Sequence, residues 1–271
     1  MTGLKEWKPL LCSPSPRNIP EVLEAHRRLP YDKLYAKYFI EGDAYWHLRN
    51  FFLKSKEYTH MILIPDDLVV LPQDMEQLWY DLQEYDYPIL SGMCNVDLDT
   101  MRDYFSITEN LPHPVRPLKK VDDPERRRWW GWRWYAWFNS EMIKKEQIRQ
   151  AAMTGYRHPI FRVMHSGFAL QCLRRDVVEK ISFVTDAADN AMPQAECSSV
   201  DIMFSNSCAL ANIAIMVDPR IKMLHLRHGG PVEIELGDSE IWHVIGDEKR
   251  IYKTTTSAPK NIHRMLSQWD T

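Results

Sequence analysis

Tyr58-Thr-His-Met-Ile-Leu-Ile-Pro-Asp-Asp-Leu-Val-Val-Leu-Pro-Gln-Asp-Met-Glu-Gln-Leu78 is the stretch on which the fold reading turns. The apolar run from His60 to Pro65 has the length of a buried strand. It closes on Asp66-Asp67, and beyond Pro72 the apolar residues Leu78 and Leu82 return at helical spacing. Two adjacent carboxylates at the edge of a core are costly unless something positive sits beside them. A divalent cation meets that need, because hard oxygen ligands suit Mg2+ and Mn2+. The alternative is a strand that simply ends in a solvated acidic turn.

On the N-terminal side, residues 8–12 form a short apolar run, expected to stop at the loop Ser13-Pro14-Ser15-Pro16-Arg17. Asn18 can cap a helix with Pro20 in its first turn, and Val22, Leu23, His26 and Leu29 keep helical spacing. Residues 34–40 read as a second strand, Glu41-Gly42-Asp43 as a break, and 45–53 as a helix. On the C-terminal side, residues 87–93 read as a further strand. Strands alternating with helices predict βαβ units and a largely parallel sheet. Right-handed crossovers then bring the C-terminal strand ends to one rim, where ligands bind in open α/β sheets. Ser13 to Arg17, Glu41 to Asp43 and Asp66-Asp67 would all lie on it.

Residues 97–139 break the pattern with Pro112, Pro114, Pro117, Pro124 and the run Arg126-Arg-Arg-Trp-Trp-Gly-Trp-Arg-Trp-Tyr-Ala-Trp137, and read as an insert or flap. Beyond it we expect a helix at 141–152, a strand at 163–170 containing Gly167, and a short helix at 174–181. A helix at 200–211 and two short strands, 213–217 and 221–226, lead to His225. A tail over 231–271 would wrap the domain. With no internal repeat and no Gly- or Ser-rich linker, residues 1–271 read as one domain.

Composition narrows the function classes. The chain has 271 residues, 45% hydrophobic and 26% charged, and Lys+Arg 34 against Asp+Glu 37 leaves a net charge of -3. No basic field invites nucleic acid, and no apolar run approaches the roughly 20 residues of a membrane span. Lys5, Glu6 and Lys8 with no apolar stretch behind them argue against a signal peptide. The five scattered cysteines (Cys12, Cys94, Cys172, Cys197, Cys208) read as reduced thiols of a cytoplasmic protein. As a strand, the insert would put Trp130, Trp132 and Trp134 on one face, and indole faces stack on sugars. A hairpin packed on the core is the plainer reading. Arg126, Arg127 and Arg128 suit a phosphate, either of a lipid-linked acceptor or of an anionic inner-membrane surface touched peripherally. Single-stranded nucleic acid is disfavoured by Asp122, Asp123 and Glu125 nearby.

The 58–78 stretch resembles the metal-binding strand and following helix of the GT-A glycosyltransferases, family 2-like, whose DxD motif is followed by an apolar pair, a proline and a helix. Asp67 takes the second, metal-binding position and Asp66 the middle one, with Pro65 where the first Asp usually stands. Other elements follow in the family's order. Leu48-Arg49-Asn50 resembles the element just upstream of the DxD strand, and Ile40-Glu41-Gly42-Asp43 the acidic loop at the nucleotide base. Pro88-Ile-Leu-Ser-Gly92 resembles the strand after the DxD helix. Ser166-Gly167-Phe168-Ala169-Leu170 with Arg174-Arg175 resembles the acceptor-side strand and its turn. Val200-Asp201-Ile-Met-Phe204 resembles the helix start that carries the base. The segment Ile215 to His225 resembles the closing strand whose His completes the metal site.

The resemblance implies a GT-A α/β fold, a Rossmann-like mostly parallel sheet with a smaller mixed sheet on the acceptor side. Residues 1–100 would bind the nucleotide sugar, 101–140 be the insert and 141–230 the acceptor half. It implies sugar transfer from a UDP- or GDP-sugar to a hydroxyl of a saccharide, glycan or lipid-linked acceptor. Mn2+ or Mg2+ would be held by Asp67 and His225 with Asp66 beside them. Ser13, Arg17, Glu41, Arg49 and Asp66 would bind the nucleotide, and Trp130, Trp132, Trp134 and Gly167 the acceptor. Asp201 would be the base, although an acid in a helix's first turn also suits the helix dipole. Val200 replaces the usual preceding Glu, so Glu196 stays a second candidate; Glu233 and Glu235 have no motif behind them. His225 and His228 form an H-x-x-H, but no further ligands at zinc spacing accompany it. Inverting and retaining chemistry are both open. A sugar-nucleotide nucleotidyltransferase is a rival, although 13–17 holds no glycine for a phosphate loop. A non-catalytic carbohydrate-binding protein is another.

Overall fold

The computed structural model describes residues 7–15, 19–37, 39, 41–95, 104–108, 137–155, 158–181, 200–226 and 239–253. Strands and helices alternate first: β1 (Pro9–Ser15), α1 (Pro20–Arg27), β2 (Asp32–Lys37), α2 (Glu41–Lys54), β3 (His60–Leu63), β4 (Leu68–Val69), α3 (Pro72–Tyr85) and β5 (Ile89–Cys94). Then come β6 (Tyr104–Thr108), β7 (Trp137–Asn139), α4 (Ser140–Thr154), β8 (Phe161–Val163), β9 (His165–Ser166), β10 (Gln171–Arg174) and α5 (Arg175–Lys180). The last are α6 (Val200–Leu210), β11 (Ile215–His225), β12 (Glu240–Ile245) and β13 (Glu248–Lys253).

Local chemistry sets the helix ends. Pro72 opens α3, where its missing N–H is no loss, and Asp74 accepts from the Leu71 N–H at 2.9 Å. The Asn139 side chain accepts from the Met142 N–H at 2.9 Å to start α4, and Gly155, at φ 71, ends it.

The large sheet has ten strands in the order β13-β12-β2-β1-β3-β10-β5-β11-β4, with β8 also paired to β11. The expected largely parallel sheet is corrected to a mixed one. β1–β2, β1–β3 and β5–β11 run parallel, and the other pairings are antiparallel. β10 wedges between β3 and β5 with opposite polarity, an arrangement no local pattern announces. A second sheet, β7-β6-β9, is small and antiparallel. Apolar side chains cover both faces of the large sheet. Cys12, Leu63, Ile89 and Val217 pack with Tyr45, Leu48 and Phe52 of α2 and Phe204 of α6. Leu11, Ile62, Leu90 and Cys172 pack with Met75, Leu78 and Leu82 of α3.

Four element expectations change. β1 continues through Ser13, Pro14 and Ser15, where the sequence predicts a loop. Cys12 accepts from Ile64 on the β3 side, so Pro14, two residues on, turns its missing N–H to that side, where pairing has ended; β2 still pairs with it. Glu41-Gly42-Asp43 is the first turn of α2 rather than a break. The stretch 163–170 is the end of β8, all of β9 and a tight turn. The two strands around 218–220 are one, β11, whose pairing with β5 shifts register between Val217 and Lys222. The tail contributes a hairpin, β12–β13, added antiparallel to β2. Among the described residues, no helix is long and apolar enough to cross a membrane.

Candidate functional site

The turn after β3 delivers Asp66-Asp67, and β4 pairs them onto the end of β11. Leu68 lies opposite His225, and the Leu226 N–H donates to the Asp67 carbonyl at 2.8 Å. That ladder brings together side chains 158 residues apart, with Asp67 Oδ2 3.2 Å from His225 Nε2. His225 Nδ1 lies 3.1 Å from the Asn95 carbonyl oxygen. A carbonyl only accepts, so Nδ1 carries a proton; in the neutral ring Nε2 then turns its lone pair toward the carboxylate, and in the charged ring it donates to it. Two lone pairs at that separation repel unless a cation relieves them. A proton on Nε2 would do so, and so would a metal ion. Ligands at about 2.1 Å on adjacent corners of an octahedron stand about 3 Å apart, close to the separation here. Among the described residues, no third His, Cys, Asp or Glu completes a metal-binding group with the pair. Two protein ligands suit a hard cation that keeps its other positions for phosphate oxygens and water.

A second constellation surrounds Asp201 in the first turn of α6. The Ser205 hydroxyl donates to the Asp201 carbonyl at 2.8 Å and lies 2.9 Å from His165 Nδ1. Its hydrogen is spent on the carbonyl, so Nδ1 is the donor and His165 Nε2 carries a lone pair. That Nε2 is 3.9 Å from Asp201 Oδ2, with His165 1% and Asp201 23% exposed. Burial pushes the imidazole below its ordinary range, and the Asp201 charge pulls it back up. Gly167 lies under the same carboxylate, where an added Cβ would stand 3.6 Å from Asp201 Oδ2 and 3.2 Å from Ser106 Cβ. Cys94, at the end of β5, ties the two constellations together. Burial pushes its thiol up to about 12, a Ser106 hydrogen bond opposes this, and the charges of both Asp67 and Asp201 add to it. Both carboxylates therefore act on one buried sulfur.

The remaining expected residues fall differently. Asp66 is buried and shares a small recess with Ser13, Ser15, His26 and Tyr35 between β1 and α1. Arg49 donates to the carbonyls of Val178, Ile181 and Glu179 at the C-terminal end of α5, at 2.9, 3.0 and 3.3 Å. A cation there suits the helix dipole, and these contacts direct it at α5 rather than at the aspartates. The side chain of Glu41 lies outside the described residues, as do Arg17, Glu196, Trp130, Trp132, Trp134, His228, Glu233, Glu235 and Arg126 to Arg128. Cys12, Cys94, Cys172 and Cys208 are free thiols, all buried.

Three groups escaped the sequence reading. His165 and Cys94 sit inside apolar runs with no spacing to mark them. His26 was read only as part of a helix face. Burial, then Lys33 and Lys37, push it down to about 4, and among the described residues its buried Nε2 has no hydrogen-bond partner. No protein-family model matches the chain, and no curated protein is similar to it. Among solved structures it is similar to the crystal structure of A197 from STIV, with 11% identity and a TM-score of 0.49 over 93% of this chain and 97% of that one.

Proposed function

We propose that the protein is a metal-dependent glycosyltransferase of GT-A type, moving a sugar from a nucleotide-diphosphate sugar to an acceptor hydroxyl. The Asp67–His225 pair carries the reading, because a carboxylate oxygen and an imidazole nitrogen face one point 3.2 Å apart, with Nδ1 held by the Asn95 carbonyl. Supporting it are a rim at the C-terminal ends of parallel β1, β2 and β3, a reversed strand between β3 and β5, and a small sheet carrying His165 beside Asp201. Asp67 and His225 would hold Mn2+ or Mg2+, which when bound neutralises charge on the departing nucleoside diphosphate. Asp66 and Ser13 would face the nucleotide from the recess beside β1. Asp201 would accept the proton of the acceptor hydroxyl, its partly exposed carboxylate standing over Gly167. A saccharide or lipid-linked acceptor would approach from this side.

The test is calorimetric titration of UDP and GDP with Mn2+ into the protein and into Asp67→Ala. Wild-type binding lost in the variant supports the reading; equal binding by both sinks it. Assays with and without EDTA separate the rivals. Metal-dependent release of UDP or GDP from a nucleotide sugar marks transfer, pyrophosphate release from an NTP marks a nucleotidyltransferase, and silence with retained sugar binding marks a lectin-like protein.

A further inference from the structure

The geometry points to an Asp201–His165 pair, rather than Asp201 alone, as the proton acceptor of this site, with His165 acting through Asp201 as a positioning and proton-sharing residue. The inference rests on the glycosyl-transfer reading above and deepens it.

His165 is 1% exposed, so it does not meet substrate and would act on the chemistry through the carboxylate beside it. The tautomer follows from hydrogen-bond accounting. Ser205 has one hydrogen, spent on the Asp201 carbonyl one helical turn back, so the hydroxyl can only accept from Nδ1. Nε2 therefore presents a lone pair toward Oδ2 at 3.9 Å. Two acceptors facing each other gain from a proton placed between them. The serine that fixes the tautomer and the aspartate that takes the proton lie one turn apart on α6, so the helix sets the alignment. The separation is longer than a hydrogen bond, as such contacts often are before substrate closes the site. Gly167 leaves the carboxylate the room to close it. The Asp201 charge raises the imidazole against its burial. Cys94, held as a thiol, is the titratable group that β5 brings to Asp201, and neighbouring β6 brings the uncharged Ser106.

In an in-line displacement, the acceptor oxygen's electron pair forms the bond to the anomeric carbon. The bond from that carbon to the phosphate oxygen breaks, and its electron pair leaves with the nucleoside diphosphate. The acceptor proton moves to Asp201 Oδ2 and is shared with His165 Nε2, so the pair goes from a net charge of minus one to zero. The proton returns to water once product has left.

Two measurements decide it. Nitrogen NMR of the His165 imidazole should show the Nδ1–H tautomer, with a titration midpoint that falls in Asp201→Asn, because the Asp201 charge raises it. An Nε2–H tautomer, or a midpoint indifferent to Asp201, overturns the pairing without any activity assay. His165→Asn retains a donor toward Ser205 but has nothing at the Nε2 position. It should bind UDP with Mn2+ like wild type, lose about tenfold to a hundredfold in transfer kcat/KM, and shift the acid limb of the pH profile to lower pH. His165→Gln, which reaches the Nε2 position, should recover part of the loss. Wild-type kcat/KM and pH profile in His165→Asn refute His165's role and leave the transfer reading standing. Absence of UDP and GDP binding by wild type removes the transfer reading instead, while the NMR result still reports the pair.

Discussion

Asp81 on α3 and Asp218 on β11 show what a buried acid does when it has a partner of its own charge. Both are buried, at 1% and 0% exposure, and the half-exposed Arg220 bridges them, with contacts of 2.8 Å to each. Burial, the hydrogen bond with Asp218 and the Asp218 charge push the Asp81 carboxyl up to about 7, against the opposing effects of Gln77 and Arg220. The folded protein then holds a proton that the unfolded chain has released. Stability should therefore fall as pH rises from about 4 to about 7 and level off above, opposite to the behaviour of a salt-bridged carboxylate. Asp81→Asn keeps a group of the same shape without the titration. Its urea midpoint should lose that slope between pH 4 and 7, and an unchanged slope would place the proton elsewhere.

Strand β11 is the element on which the candidate site depends. Its first part pairs with β5 and β8, its register shifts between Val217 and Lys222, and its last residues pair with β4 to carry His225 to Asp67. Gly92 on β5 lies where this irregular stretch passes closest. A Cβ there would meet the Ile221 carbonyl oxygen at 2.8 Å and Ile221 Cγ2 at 2.7 Å. Backbone cannot yield as a flexible side-chain tip does, so Gly92→Ala should push β11 away and cost about 1–3 kcal/mol, the usual range for overpacking. We expect a lower denaturation midpoint together with weaker Mn2+-dependent nucleotide binding. A variant as stable as wild type would show that β11 has slack. The turn before β10 is held tightly too, with buried Leu170 at φ 49, a conformation that branched side chains seldom adopt.

At the scale of the molecule, the β12–β13 hairpin closes what would otherwise be the bare edge of β2. A polar contact at one point adds to its main-chain ladder. The Tyr58 hydroxyl donates to Asp32 at 2.8 Å, so His243 Nε2, 3.0 Å away, must donate to it. The tyrosine thus joins the start of β3, the start of β2 and the hairpin. Tyr58→Phe leaves both partners short of a bond in a largely dry place and should cost about 1–3 kcal/mol. Hydrogen exchange should show the gain in opening concentrated in β12 and β13; uniform loosening would mean that this contact does not hold the hairpin.

What the sequence determined by itself was local. The period of the apolar residues marked most of β1 to β5 and their helices, because alternation and helical spacing are imposed by the face each residue must bury. The adjacent acids at 66–67 singled out the end of β3, because two carboxylates there are costly unless a cation or solvent meets them. A resemblance in motif order singled out His225, Gly167 and Asp201. Only the tertiary structure decided that β10 runs against its neighbours, that β11 is continuous through a register shift, and that the tail adds a hairpin to β2. Those choices depend on pairing energies between segments far apart in the chain. The same holds at the site. Asp67 and His225 meet because β4 is laddered to β11, His165 meets Asp201 because β9 packs under α6, and Cys94 feels both acids from the end of β5. No spacing along the chain encodes these meetings, since they follow from how the sheet is threaded.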